Sequence, residues 1–308
     1  MNCLVTGGAG FIGSHIVVAL VERGDRVRVI DDLSSGTREN LSEVLSDIEL
    51  IERDIRDVEA TKNAVRGVEA VFHLAAVPSV PRSVKEPRLT HEVNVDGTFN
   101  MLMAARDTGV SRFIFSSSSS IYGDTETLPK VEDMPPRPKS PYALQKLIGE
   151  QYARIFSETY GMSTICLRYF NIFGPRQNPK SEYAAVIPRF ITNMINDRPP
   201  VIYGDGTQTR DFTYISNAVS ANLLAAEKDS FGGEVVNIST GIQLDLNSLA
   251  KKVGEITHRE YDPIYEETRP GDVKHSMGEI TRARELLGYR VVTTLEEGLV
   301  ATYESFAS

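Results

Sequence analysis

The chain has 308 residues, 41% of them hydrophobic and 24% charged, which is ordinary for a soluble globular protein with room for one large or two modest cores. A net charge of −9 argues against a surface built for nucleic acid, although it leaves room for a local basic cleft holding a phosphorylated small molecule. Cys3 and Cys166 each lie in an apolar strand-like run and no run approaches membrane-spanning length, so a disulfide framework and a membrane partner are not expected and a reducing, cytoplasmic setting fits.

In chain order, the apolar run Asn2–Thr6 reads as a strand and leads straight into Thr6-Gly7-Gly8-Ala9-Gly10-Phe11-Ile12-Gly13. Gly7, Gly10 and Gly13 space a G-x-x-G-x-x-G turn before a predicted helix at 11–23. A dinucleotide pyrophosphate needs such a turn, because only a backbone without side chains lets N–H groups and the helix dipole reach it. Phe11 and Ile12 belong to the same cradle. The next strand, Arg26–Asp31, ends in Asp31-Asp32, 18 residues after Gly13. A carboxylate there would accept from an adenosine ribose hydroxyl and repel a 2′-phosphate, so NAD is favoured over NADP. Predicted strands at 49–53 and 70–74 end near Asp54-Ile55 and Leu74-Ala75-Ala76, where the same sheet edge would meet adenine and the second ribose.

Helices are predicted at 57–65 and 93–108, and a fifth strand at 112–116. The segment 117–140 holds four prolines and no sustained period, and reads as an ordered active-site loop. Pro141–Tyr160 then reads as a helix that carries Tyr142 and Lys146 on one face, since residues four apart are neighbours on a helix. A phenol near its reference pKa of about 10 is a poor base at neutral pH, and a lysine ammonium and a nicotinium ring nearby would favour phenolate. A hydroxyl donor is expected after the fifth strand to hold the oxygen that becomes a carbonyl; Ser118 is the first choice, with Ser116 and Ser117 as alternatives.

A sixth strand is predicted at 164–168. Alternating strands and helices of this kind imply a Rossmann-type, doubly wound parallel α/β sheet over residues 1–170. Residues 171–308 read as a smaller mixed α/β domain, with short runs at Val201–Tyr203 and 234–238 and helices near 187–196, 216–227, 248–255 and 281–287. Segments of it are expected to return to the first sheet. No metal site is assigned.

TGGAGFIGSH at 6–15, SSSSSIYGD at 116–124, SPYALQK at 140–146, LRYFNIFGPRQ at 167–177, GDGTQTRDF at 204–212 and RPGDVKHS at 269–276 together resemble the extended short-chain dehydrogenase/reductase family, and within it the UDP-hexose 4-epimerases. The resemblance implies a bound NAD, oxidation of the sugar at C4 with Tyr142 as base and Ser118 steadying the oxygen, and return of hydride to the other face. By position it implies that Asn94, Ser116 and Phe170 lie by the cofactor. It puts Ser119, Asn171, Val186, Arg210, Arg269, Asp272 and Ser276 around the UDP-sugar, and Tyr203 near uracil. Two helices per subunit, 93–108 and Pro141–Tyr160, are implied to form a homodimer.

Relatives that eliminate water carry an Asp-Glu pair where this chain has Ser119 and Ser120, which disfavours a dehydratase and weakens a decarboxylase reading. Ser276, at a position where relatives with a tyrosine exclude an N-acetyl group, implies that UDP-GlcNAc and UDP-GalNAc enter, with UDP-Glc and UDP-Gal also candidates. The plainer reading of Ser276 is a cap for a helix starting near Ile280. A UDP-glucuronate 4-epimerase and a catalytically silent nucleotide sensor are the competing functions.

Overall fold

The computed structural model describes residues 1–179, 185–268 and 273–307. Its first half alternates β1 (Asn2–Thr6), α1 (Phe11–Glu22), β2 (Arg26–Asp31), β3 (Ile48–Glu52), α2 (Val58–Ala64), β4 (Ala70–His73), α3 (Val80–Lys85), α4 (Pro87–His91), α5 (Thr98–Thr108), β5 (Arg112–Ser118), α6 (Pro141–Tyr160) and β6 (Thr164–Tyr169). The inner strands are covered on both faces: every residue of β4 and β6 is buried. Alternate residues serve opposite layers. Cys3 and Val5 of β1 join a core beneath α1, whereas Leu4 joins one beneath α2, α5 and α6.

The rest of the chain supplies β7 (Ile172–Phe173), α7 (Val186–Ile195), β8 (Val201–Tyr203), β9 (Thr209–Arg210), β10 (Thr213–Tyr214), α8 (Ile215–Glu227), β11 (Gly232–Ile238), β12 (Leu244–Asp245), α9 (Leu246–Thr257), β13 (Ile264–Glu266), α10 (Thr281–Leu287) and α11 (Leu295–Ala307). The central sheet has seven parallel strands in the order β11-β6-β5-β4-β1-β2-β3. Its edge strand β11 comes from the second half of the chain and sets Asn237 opposite Arg168. A third core, with Phe190, Leu249, Val253 and Leu299, lies among α7, α9 and α11.

Local chemistry fixes the elements that carry the site. Ser140 caps α6 by accepting from the Ala143 N–H at 3.2 Å, Pro141 occupies the first turn, and Gly161 ends the helix at φ 69°. Gly149 lets α6 lie close on β5, because a Cβ there would stand 2.3 Å from Phe115. Some expectations shift, and α3 and α4 are helices where none was expected. The helix expected at 93–108 starts as a π-helical turn over Glu92–Gly97, held by side-chain bonds of Asn94 and Thr98. β5 runs on to Ser118, two residues beyond the run expected to end it, because Ser117 and Ser118 continue the parallel ladder with Arg168 and Tyr169 of β6. The helix α11 has no counterpart in the expected elements: Gly298 interrupts its pattern, yet that glycine is where the Tyr214 ring packs, 2.6 Å from a would-be Cβ.

Candidate active site

The carboxyl ends of β1, β2, β4, β5 and β6 share one sheet edge, and strand order reverses between β1 and β4, where α/β sheets bind ligands. Gly7 turns there with φ +67°, and a Cβ on Gly13 would stand 2.1 Å from the Gly7 carbonyl. The Gly10 position caps α1 without a side chain, leaving the helix start open beside Phe11 and Ile12. Asp31, buried at the end of β2, accepts from Ala9 N–H at 2.9 Å on Oδ2 and from Leu33 N–H at 2.8 Å on Oδ1. Each oxygen keeps a further lone pair for a hydroxyl. Burial raises the Asp31 carboxyl above its ordinary range, and the two N–H groups pull it back. This cradle fits a dinucleotide with an unphosphorylated ribose.

The neighbouring residues divide. Asp32 is exposed and accepts from the Ser34 N–H at 2.9 Å. The Asp54 carboxylate is taken up by Arg56, whose Nη2 approaches to 2.6 Å, and Ile55 is buried against Gly97. Leu74, Ala75 and Ala76 stay partly open. The Leu74 and Ala75 N–H groups both donate to Thr6 Oγ1 at 3.1 Å, and Ala75 Cα would meet a Cβ on Gly7 at 2.8 Å.

A chain of buried hydrogen bonds backs this edge. Thr98 donates to the Asn94 carbonyl at 2.7 Å, so it accepts from His73 Nε2 at 2.9 Å; His73 Nδ1 then accepts from Thr6 at 2.8 Å. One tautomer satisfies all three. Burial pushes the His73 imidazole down to about 3, so it is neutral. Asn94 accepts from Val77 N–H at 2.7 Å and donates to Gln145 Oε1 at 2.8 Å, which ties the edge to α6 next to Lys146.

At the end of β5, three consecutive serines meet three turns of α6. The Ser118 side chain lies beside the Tyr142 phenol and favours its ionised form. Lys146 Nζ donates to the Ser116 carbonyl at 2.8 Å and stands 6.0 Å from the Tyr142 ring centre. Ser117 Oγ donates to Glu150 at 2.6 Å. Burial pushes the Tyr142 phenol up to about 12, against the pull of Ser118, and pushes the Lys146 ammonium down to about 8. Of the three serines, Ser118 is the one that meets the phenol. Ser119 follows it, half-buried, in a short 3-10 turn.

The segments after β6 converge on the same edge. Asn171, at φ 36°, donates to the Asp211 carbonyl at 2.9 Å. The Asp211 carboxylate is buried and accepts from Thr240 N–H at 2.9 Å, Thr240 Oγ1 at 2.7 Å, Gly241 N–H at 3.0 Å and Gly278 N–H at 3.2 Å. Arg210 Nη1 donates to the Thr209 and Lys274 carbonyls at 2.9 and 3.2 Å. Ser276 donates its N–H to the Thr209 carbonyl at 3.1 Å, whereas α10 is capped by Ile280 with no side-chain bond; Ser276 is therefore not the cap of that helix. Tyr203 pairs with Arg189, whose guanidinium lies 5.1 Å from its ring centre, and Val186 opens α7. Phe170 sits just after the end of β6, in the segment that leaves the sheet. Its ring is fully buried against Tyr122 and beneath Gly278. Arg269 and Asp272 lie outside the described residues.

Sequence reasoning missed Thr6, His73, Glu150, Arg168 and Asp211. The available signal was charge or polarity inside apolar runs, such as Arg168 within Thr164–Tyr169, because a buried charge needs a partner.

Residues 3–239 match the NAD dependent epimerase/dehydratase family. The chain is 39% identical over 298 residues to a putative UDP-glucose 4-epimerase of Methanocaldococcus jannaschii, covering 96% of this chain and 95% of that protein. It superposes at TM-score 0.95 and 41% identity on a UDP-N-acetylglucosamine 4-epimerase of Methanobrevibacter ruminantium in complex with UDP-N-acetylmuramic acid, covering 99% and 97% of the two chains. At TM-score 0.91 and 35% identity it matches the UDP-glucose 4-epimerase of Thermus thermophilus in complex with NAD, covering 99% of each. With the glycine cradle and the Ser118, Tyr142 and Lys146 group at one sheet edge, the chain belongs to the NAD dependent epimerase/dehydratase family.

Proposed function

We propose that the protein is a 4-epimerase of UDP-hexoses that interconverts UDP-GlcNAc and UDP-GalNAc, and also UDP-Glc and UDP-Gal. The observation that carries this reading is the Tyr142 phenol beside Ser118, with the Lys146 ammonium 6.0 Å from its ring centre. Gly7, Gly10, Phe11, Ile12 and Gly13 hold the pyrophosphate of NAD, and Asp31 holds its adenosine ribose. NAD, when bound, supplies reversible hydride acceptance at C4 of the sugar.

Tyr142 takes the proton of the C4 hydroxyl and later returns it. A phenol pushed up to about 12 needs help to do so, and the nearby ammonium gives it by favouring phenolate. Ser118 orients the C4 oxygen and stabilises the carbonyl that forms. Arg210, Asn171 and Arg269 retain the UDP while the sugar turns over, guanidinium forks being suited to phosphate oxygens. The small Ser276 leaves room for an N-acetyl group at C2. Phe99 and Ile155, exposed on α5 and α6, support a dimer through those helices.

Incubating the protein with UDP-Glc, UDP-GlcNAc and UDP-GlcUA in parallel, without added cofactor, tests the reading. Epimerisation of the first two is expected, with loss of activity in Tyr142→Phe. Turnover of UDP-GlcUA alone would replace it with the glucuronate reading, and no turnover together with no transient reduced-nicotinamide absorbance would leave a sensor. Ser276→Tyr is expected to suppress the N-acetylated pair only.

A further inference from the structure

We propose that Glu150 is a positioning residue for the proton-transfer group, acting through Ser117 to fix the end of β5 against α6; this rests on the epimerase reading above. Glu150 lies one turn beyond Lys146 and is 1% exposed. Its Oε1 accepts from Ser117 Oγ at 2.6 Å and from Arg168 Nε at 2.8 Å, and its Oε2 accepts from Arg168 Nη2 at 2.8 Å. Ser117 is itself buried, so its hydroxyl serves the protein and not a ligand.

The consequence is geometric. Lys146 grips the carbonyl of Ser116 and Glu150 grips the hydroxyl of Ser117, so two adjacent residues of β5 are pinned to two adjacent turns of α6. Ser118 is the next residue, and its side chain lies beside Tyr142, one turn before Lys146. A buried ion pair alone is weak evidence for stability, since apolar residues of similar volume can often replace it. Apolar residues could not hold the Ser117 hydroxyl.

The same carboxylate sets the charge around the lysine. The groups around Glu150 are Lys146 on α6, Ser117 on β5, and Cys166 and Arg168 on β6, with Tyr122 and Glu132 beyond the guanidinium and Glu234 of β11 beyond Cys166. The Cys166 thiol is pushed well up by burial and stays neutral. Glu150 therefore supplies the negative charge that opposes the loss of the Lys146 proton.

Glu150→Gln and Ser117→Ala test the proposal, with kcat, KM and pH profile measured for the best UDP-hexose, and the Lys146 titration followed by NMR of isotope-labelled lysine. Glu150→Gln is expected to lower kcat about a hundred-fold with KM within about threefold, the scale of a misplaced catalytic group. Its alkaline limb and its Lys146 midpoint should both move to lower pH. Ser117→Ala should lower kcat about tenfold, and the double variant should lose no more than Glu150→Gln alone, because both act through one contact. Should Glu150→Gln not fold, Ser117→Ala, which leaves the ion pair intact, carries the test. Unchanged kcat in the folded variants, or losses confined to KM, would overturn the proposal. A parent protein inactive on every UDP-hexose would sink the epimerase reading instead, and an unmoved Lys146 midpoint would still count against Glu150.

Discussion

The backbone N–H of Ala9, inside the glycine turn, donates to Oδ2 of Asp31 at the end of β2 across 2.9 Å. The turn and the acidic strand end are thus one rigid unit, and the carboxylate faces the cradle already oriented. Asp31→Asn keeps an acceptor and loses the charge. NAD affinity should fall about tenfold, as expected for losing a charge-assisted hydrogen bond, while NADP binding improves relative to it. Fluorescence titration with both cofactors checks this; an unaltered preference would remove Asp31 from the selectivity argument.

His73 makes a second prediction, about acid. Its folded value of about 3 lies below the ordinary 6.5, so the unfolded chain binds the extra proton. Its contribution is complete above pH 6.5 and is lost as pH falls toward 3, at up to about 1.4 kcal/mol per pH unit. His73→Asn should cost about 2 kcal/mol at pH 7 by leaving Thr6 and Thr98 poorly partnered, yet show a shallower decline below about pH 6. Urea midpoints of both proteins, measured from neutral to mildly acidic pH, decide it.

Burying Lys146 costs the fold stability. Its ammonium is pushed down to about 8 from 10.5, so holding it charged costs the fold up to about 3 kcal/mol below pH 8, and that cost fades as pH rises toward 10.5. Lys146→Met should lower kcat at least about a hundred-fold and leave the protein no less stable at neutral pH. Thermal unfolding at neutral and at alkaline pH gives the comparison; a variant destabilised at neutral pH would contradict it.

Asp211 joins three loops through four donors. Asp211→Asn points an amide N–H₂ at backbone N–H groups and should destabilise by about 3 kcal/mol. Because Asn171, Arg210 and the turn at 276–278 share this hub, KM for UDP-hexose should rise about tenfold while kcat changes less. Steady-state kinetics at a temperature where the variant stays folded separates the two effects.

Much of the sheet was legible in the sequence because strands buried on both faces read as apolar runs and because glycine spacing marks the first turn. Asp31 was placed at its strand end by simple register. What stayed hidden depends on partners far along the chain. Nothing local in Arg112–Ser118 says that Ser117 is held by Glu150, and nothing near 93 says that Asn94 braces Val77 and bends the helix start into a π turn. The choice among three serines rested on spacing, and only the packing of α6 on β5 separates their partners. Polar residues in the cores were visible but their connections were not, because hydrogen bonds such as Asp211 to Gly278 span 67 positions.

β11 closes one flank of the sheet from residues 232–238, pairing with β6 and setting Asn237 opposite Arg168. During synthesis, β6 therefore emerges long before its neighbour and presents an open row of N–H and C=O groups. A nascent chain stopped at residue 231 would carry that raw edge beside the serine-bearing strand, with the Tyr122 hydroxyl lacking its Asn237 acceptor. Such an edge recruits other chains. Until β11 has been made, β6 takes the place of the outermost strand on that flank.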